Sequence, residues 1–215
     1  MNHIQPILDD IIVGKKEFAI DIIDDGGHCV GKLRPLVLEH LNCEDVINKL
    51  TLWRNINKKS FLTQFVATPE RTRNWMRSSL FVNRGQMLFL IYVDDLIVGH
   101  FGFKDLTADD VLLDNAMRGE RDGDPKLLVY AGKALVKWLF TQANVKRING
   151  EVMTDNIPSL MMNKRIGFGH KTRHPLLKSV SGLDTSWIIG EEGEVSPNDQ
   201  YCFRLFIHNH EFSVE

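Results

Sequence analysis

Val111-Leu-Leu-Asp-Asn-Ala-Met117, then Arg118-Gly-Glu-Arg-Asp-Gly-Asp124, then Pro125, is the stretch on which the fold turns. The first segment is a short apolar run and reads as a strand. The second is a polar, glycine-containing loop. Pro125 then opens a long helical pattern. In it Leu128, Ala131, Leu135 and Trp138, with Leu127 and Ala134 one face over, recur at i, i+3 and i+4. Arg147–Met153 follows as another strand. A strand, a helix and a strand in that order make a crossover connection, which pairs its two strands in parallel.

Upstream, Met87–Val93 and Leu96–Phe103 are two apolar runs joined by Asp94-Asp95, which predicts a hairpin. A second hairpin is expected nearer the N-terminus. Its strands are Glu17–Ile23 and Cys29–Val37, and its turn is Asp24-Asp25-Gly26-Gly27. Glu44–Leu52 reads as a helix. Thr68-Pro69-Glu70 is a helix start, with a capping hydroxyl, a proline in the first turn and an early acid. Downstream, Asn156-Ile-Pro-Ser159 opens a helix that stops at Gly167-Phe168, and Trp187–Gly190 and Tyr201–His208 read as strands. The predicted class is a mixed, mostly antiparallel α/β sheet flanked by helices. Residues 1–32 are expected to form an N-terminal hairpin extension packed on a core domain of residues 33–215. Tyr201–His208 either closes the sheet or pairs with a second copy in a homodimer.

Composition narrows the function. With 215 residues, 43% of them hydrophobic and 25% charged, the chain has globular proportions. Its 26 basic and 28 acidic residues give a net charge of −2, without the basic excess of a nucleic-acid binder. The apolar runs are too short to span a bilayer, and Asp9-Asp10 sits where a signal peptide needs apolar residues. Cys29, Cys43 and Cys202 are isolated, as expected of reduced thiols in a cytoplasmic protein. No metal is expected: His208-Asn209-His210 lacks a third ligand nearby, and no Gly-x-Ser-x-Gly elbow anchors a hydrolase triad.

The loop Arg118–Asp124 is the strongest candidate for chemistry. Amides at a helix start are unpaired and partly positive, which suits a phosphate. Gly119 and Gly123 would let a ligand approach the backbone, and Arg118 and Arg121 could pair with phosphate oxygens. The same residues also fit a solvated loop closed by an Asp124-Pro125 cap, and Glu120, Asp122 and Asp124 weigh against an exclusively phosphate-directed loop.

Several elements in order carry a resemblance. They are Leu33-Arg34-Pro35-Leu36, then Trp53-Arg54-Asn55 with Phe65 and Thr68-Pro69-Glu70. The strand, loop and long helix follow, and then Asn156-Ile-Pro-Ser159-Leu-Met-Met-Asn163-Lys-Arg-Ile-Gly167-Phe168. Together, from about Leu33 to Phe168, they resemble the GNAT superfamily of acetyl-CoA-dependent N-acetyltransferases. Trp53-Arg54-Asn55 and Leu113-Asp114-Asn115 with Arg118-Gly119 look most like the branch that acetylates amino groups of nucleotide-linked sugars. They are also similar to the ribosomal-protein N-terminal acetyltransferases.

The resemblance implies acetyl-CoA as co-substrate. Asn115, Ala116 and Met117 would hold its pantetheine arm through the backbone. Arg118, Gly119, Gly123, Asp124 and Lys126 would hold the pyrophosphate, and Asn156 and Ser159 would touch the cofactor from the next junction. Two departures stand out: acidic residues are inserted in the loop, and Asn163 replaces a frequent tyrosine that protonates the departing thiolate. The reaction itself needs a neutral amine, a base and a polarised thioester carbonyl. Asp114 is the first candidate for the base, with Glu151 and His100 behind it. Each also has a structural role open to it. Trp53, Arg54, Asn55 and Arg84 are candidates for the acceptor pocket, although Trp53, Trp75 and Trp138 also fit packing positions. The expected acceptor is an amino sugar on a nucleotide. A protein N-terminus or polyamine acceptor, or a non-catalytic CoA-binding domain, are the alternatives.

Overall fold

The computed structural model describes residues 4–212. Ten strands form one sheet. They are β1 (Ile20–Ile23), β2 (Cys29–Pro35), β3 (Thr63–Gln64), β4 (Met87–Val93) and β5 (Leu96–Lys104). Then come β6 (Asp110–Arg118), β7 (Arg147–Met153), β8 (His170–Ser181), β9 (Asp184–Ile189) and β10 (Tyr201–His208). Their order across the sheet is β1-β2-β4-β5-β6-β7-β10-β8-β9-β3. Five α-helices flank it: α1 (Gln5–Ile12), α2 (Glu44–Ile56), α3 (Pro69–Trp75), α4 (Leu127–Thr141) and α5 (Ile157–Ile166).

The layering follows from side-chain alternation along β4. Met87, Phe89 and Ile91 join the cluster formed with α1, α4 and α5, while Leu88 and Leu90 join the cluster under α2 and α3. Helix α4 buries Leu127, Ala131, Leu135 and Leu139 at four-residue spacing against the first of these faces. Helix α3 begins as its sequence predicts: the Thr68 hydroxyl accepts from the Arg71 amide at 3.1 Å, with Pro69 behind it.

Both hairpins form, and β6–α4–β7 is the parallel crossover. The boundary drawn between residues 32 and 33 falls inside β2, whose far half pairs with β4. Strand β10 lies between β7 and β8 and is paired on both edges, so it closes the sheet internally. Three elements go beyond the sequence reading: the two-residue strand β3, helix α1 and strand β8. Helix α1 hides an amphipathic face, with Ile4, Leu8 and Ile11 buried, behind the polar Asp9-Asp10 pair. Strand β8 is polar and contains Pro175. It buries only His174 to Leu176, so no apolar run announces it.

The feature that makes a site is a split in the sheet. Strands β6 and β7 pair only at Asp110–Leu112 with Arg147–Asn149. Beyond Leu112, β7 stays with β10, and β6 stays with β5 through a bulge. At the bulge Asn115 adopts a left-handed conformation (φ 53°). One extra residue on β6 bends it away from its neighbour. From Leu113 to Arg118, the edge of β6 therefore has no strand beside it.

Candidate active site

Two cavities meet at this split. One, of about 320 Å³, lies on the α5 side and is lined by Ala116, Arg118, Asn156, Ser159 and Asn163 among others. The other, of about 390 Å³, lies on the α2–α3 side, with Arg54, Phe65, Arg71 and His100 in its wall. Asp114, Asn115, Met117 and Glu151 line both.

The loop after β6 is built inside out from the sequence expectation. Arg118 does not face outward: its guanidinium donates to the carbonyls of Glu120 (2.7 Å), Asp124 (3.0 Å), Arg121 (3.2 Å) and Asp122. Burial lowers its pKa, with Asp122 and Asp124 opposing. The consequence is favourable for an anion. A planar peptide points its N–H opposite to its C=O, so inward carbonyls at residues 120–122 turn the Arg121, Asp122 and Gly123 amides outward. Gly123 (φ 81°) supplies the left-handed position this path needs.

Other loop residues are also committed. Asp124 accepts from the Lys126 amide at 2.6 Å in the turn that leads into α4, whose own N-cap, Lys126, has no side-chain cap. The Lys126 ammonium reaches Asp25 in the β1–β2 turn at 3.1 Å, where the Tyr130 hydroxyl also donates at 3.0 Å. Gly119 is small because of protein, not ligand: a Cβ there would lie 1.9 Å from Cε2 of Trp53. Trp53 is 1% exposed, lines neither cavity, and donates its indole N–H to Glu120 at 3.2 Å.

Of the residues expected around the acceptor, only Arg54 reaches the cavity. Asn55 spends its amide on both backbone groups of Ala67, at 2.8 and 2.9 Å. Arg84 lies 3.9 Å from Asp9 of α1 and lines neither cavity. Arg54 donates to the carbonyl and hydroxyl of Thr63, at 2.8 and 3.0 Å, and lies 3.5 Å over the Phe61 ring. Its Nε is buried without a hydrogen-bond partner, and among the described residues no carboxylate lies within ion-pair distance. Burial pulls its pKa down to about 10, only partly offset by the charge of Asp114. A half-buried charge without a counter-ion, as here, favours an anion beside it.

At the split, the Asp114 carboxylate lies 3.3 Å from the Lys104 ammonium and accepts from the Asn115 side chain at 2.9 Å. Glu151 accepts from Arg204 of β10 at 3.3 Å. Asn156 caps α5 through the Ser159 amide, and Asn163 donates to the Ser159 carbonyl at 2.8 Å while lining the α5-side cavity. Among the described residues, no tyrosine and no cysteine lines either cavity.

His100, on the α2–α3 side, donates Nδ1–H to the Asn115 carbonyl at 2.6 Å. Burial brings its pKa down to about 4 against that bond. The unfolded ring takes a proton near pH 6.5, so the unfolded state binds more protons between there and about 4. Stability is therefore complete above that window and falls as pH drops through it, by roughly 3 kcal/mol. Urea unfolding at pH 7 and 4.5 should show the loss, and His100→Asn should reduce it.

Solved structures share this architecture. A probable acetyltransferase (GNAT family) from Chromobacterium violaceum is 12% identical, covers 89% of this chain and 87% of its own, and superposes with a TM-score of 0.61. The ribosomal L7/L12 alpha-N-protein acetyltransferase RimL, in complex with coenzyme A, is 14% identical over 89% of this chain and 98% of its own (TM-score 0.58). Spermidine N-acetyltransferase from Vibrio cholerae, with CoA and spermine, is 14% identical over 85% and 97% (TM-score 0.57). No family profile matches the sequence, and no curated protein matches it. At these identities the likeness is one of fold, and the fold is that of the GNAT acetyltransferases.

Proposed function

We propose that this chain, built on the GNAT fold, transfers an acetyl group from acetyl-CoA to a primary amine by direct attack, and that the acceptor is an amino sugar carried on a nucleotide. The observation that carries the reading is the split: a cavity on each side of the sheet, meeting at Asp114, Asn115 and Glu151. The α5-side cavity takes the pantetheine arm along the unpaired edge of β6. The outward amides of residues 121–123 take the pyrophosphate. Asn156 and Ser159 line the opposite wall. The amine enters from the α2–α3 side and loses its proton to Asp114, with Glu151 as the second carboxylate at the same place. Attack on the thioester carbonyl forms the amide and expels the thiolate. Asn163 is an amide and supplies no proton to it, so that proton comes from solvent. The absence of a lining cysteine favours direct transfer over an acyl-enzyme.

The acceptor reading rests on Arg54. A half-buried guanidinium without a counter-ion, stacked on Phe61 and flanked by Phe65 and Arg71, suits a phosphate-bearing or otherwise anionic amine, not a polycation. Arg54→Met should raise the KM for a nucleotide-linked amino sugar about tenfold to a hundredfold and leave the KM for acetyl-CoA unchanged. An equal rise for spermidine, or none for either, would remove Arg54 as the anion contact. A non-catalytic CoA-binding role is the second reading, favoured by Asn163. It requires CoA binding with no thiol release for any amine.

A further inference from the structure

The bulge in β6 has its own support. Across it β6 carries one residue more than β5: Gly102 lies opposite Asp114, and His100 opposite Met117. The extra residue puts Asn115 at φ 53°, a conformation that asparagine tolerates better than most residues. The turned-out peptide is then tied by its carbonyl to Nδ1–H of His100 at 2.6 Å. The imidazole that makes this bond is 5% exposed and packs beside Trp53, with ring centroids 6.0 Å apart. Trp53 in turn sits under Gly119 of the phosphate loop, so one indole supports both the loop and the histidine.

The direction of that bond matters because the peptide is trans and planar. With the Asn115 carbonyl turned to His100, the N–H of Ala116 in the same peptide unit points the opposite way. His100 lines the acceptor cavity and not the cofactor cavity, whereas Ala116 lines the cofactor cavity and not the acceptor cavity. The amide is thus aimed through the split, toward the side on which the thioester would lie.

We infer that His100 is a positioning residue that, through the Asn115 carbonyl, fixes the Ala116 amide as the donor polarising the thioester carbonyl. The inference rests on the acetyl-transfer reading. It assigns His100 no proton transfer. Its single proton stays on Nδ1 in the neutral ring, and the bond needs only that donor. In the reaction the amide's hydrogen bond strengthens as the carbonyl oxygen gains charge and relaxes when the thiolate leaves.

The test is the carbon-13 resonance of acetyl-CoA labelled at the acetyl carbonyl and bound to the full chain. This readout needs no acceptor and no turnover. Binding to the unaltered protein should move the resonance downfield. His100→Ala should abolish most of that movement. His100→Asn places an amide nitrogen near the position of Nδ1 and should restore it, while His100→Gln, whose donor lies one bond farther out, should not. In turnover assays, His100→Ala should lower kcat about tenfold to a hundredfold with the KM for acetyl-CoA and the pH profile unchanged. The same downfield movement in all four proteins, or none in the unaltered one, would overturn the role of His100 while leaving acetyl-CoA binding intact. A chain that binds no acetyl-CoA at all would overturn the reading beneath it.

Discussion

Gly119→Ala should abolish tight CoA binding while changing only one methyl group. The added Cβ would lie 1.9 Å from Cε2 and 2.3 Å from Cδ2 of Trp53, far inside contact distance. Neither partner has room to retreat. Trp53 is fully buried on α2, and its indole N–H holds Glu120 in the same loop. The backbone at residue 119 is also fixed, since the Gly119 and Glu120 amides both donate to the Val98 carbonyl at 2.9 Å. Overpacking of this kind costs about 1–3 kcal/mol. The loop is the weaker side, so its amides lose their alignment, and CoA affinity should fall about tenfold to a hundredfold. Titration calorimetry and a thermal melt read the two effects separately. Adding Trp53→Leu to Gly119→Ala should return part of the affinity by making space. A Gly119→Ala protein that binds CoA as tightly as the unaltered chain would show that the loop is not the phosphate site.

Asp114→Asn should cost the most in turnover. Asp114 lines both cavities at the point where the sheet opens, and an amine attacking there must lose a proton to a nearby base. The substitution keeps the size of the side chain and an acceptor oxygen for the Asn115 amide, which the carboxylate binds at 2.9 Å. It removes the basic function and leaves the Lys104 ammonium, at 3.3 Å, without its counter-charge. Loss of a general base costs about 10²–10⁴ in rate. The KM for acetyl-CoA should stay within a few-fold, so that the loss falls on kcat. Glu151→Gln is the companion measurement. Its carboxylate is tied to Arg204, and a smaller loss there would leave Asp114 as the base. A larger loss at Glu151 would exchange the two roles.

Much of the architecture was legible because it is local. Strand β6, the polar loop, Pro125 and the four-residue spacing of α4 follow one another without interruption, and the crossover to β7 comes from their order alone. The Asn156 cap and the Gly167 stop of α5 are likewise written in consecutive residues. The split itself was not legible, because it depends on where the β6–β7 pairing ends and on a bulge set by Asn115. Side-chain commitments were hidden for the same reason. Arg118 and Lys126 look like phosphate ligands in one dimension, yet the first is spent on its own loop and the second on Asp25 from the first hairpin. Trp53, Arg54 and Asn55 could have been separated in advance. Consecutive residues on a helix point about 100° apart, so all three cannot face one cavity. Arg54 faces it, Trp53 packs under Gly119 and Asn55 ties down Ala67. Arg84 was drawn in by its charge, but it belongs beside α1, an element whose apolar face the acidic pair at residues 9 and 10 concealed.

Thiol release from acetyl-CoA is the most direct measurement of the central claim, made with the full chain and a panel of nucleotide-linked amino sugars, spermidine and short peptides. Acetyl transfer to a nucleotide-linked amino sugar predicts release that depends on that acceptor, saturates with it, and falls when Arg54 is replaced by methionine. Tight CoA binding with no release for any amine in the panel would contradict acetyl transfer and leave the non-catalytic reading in its place.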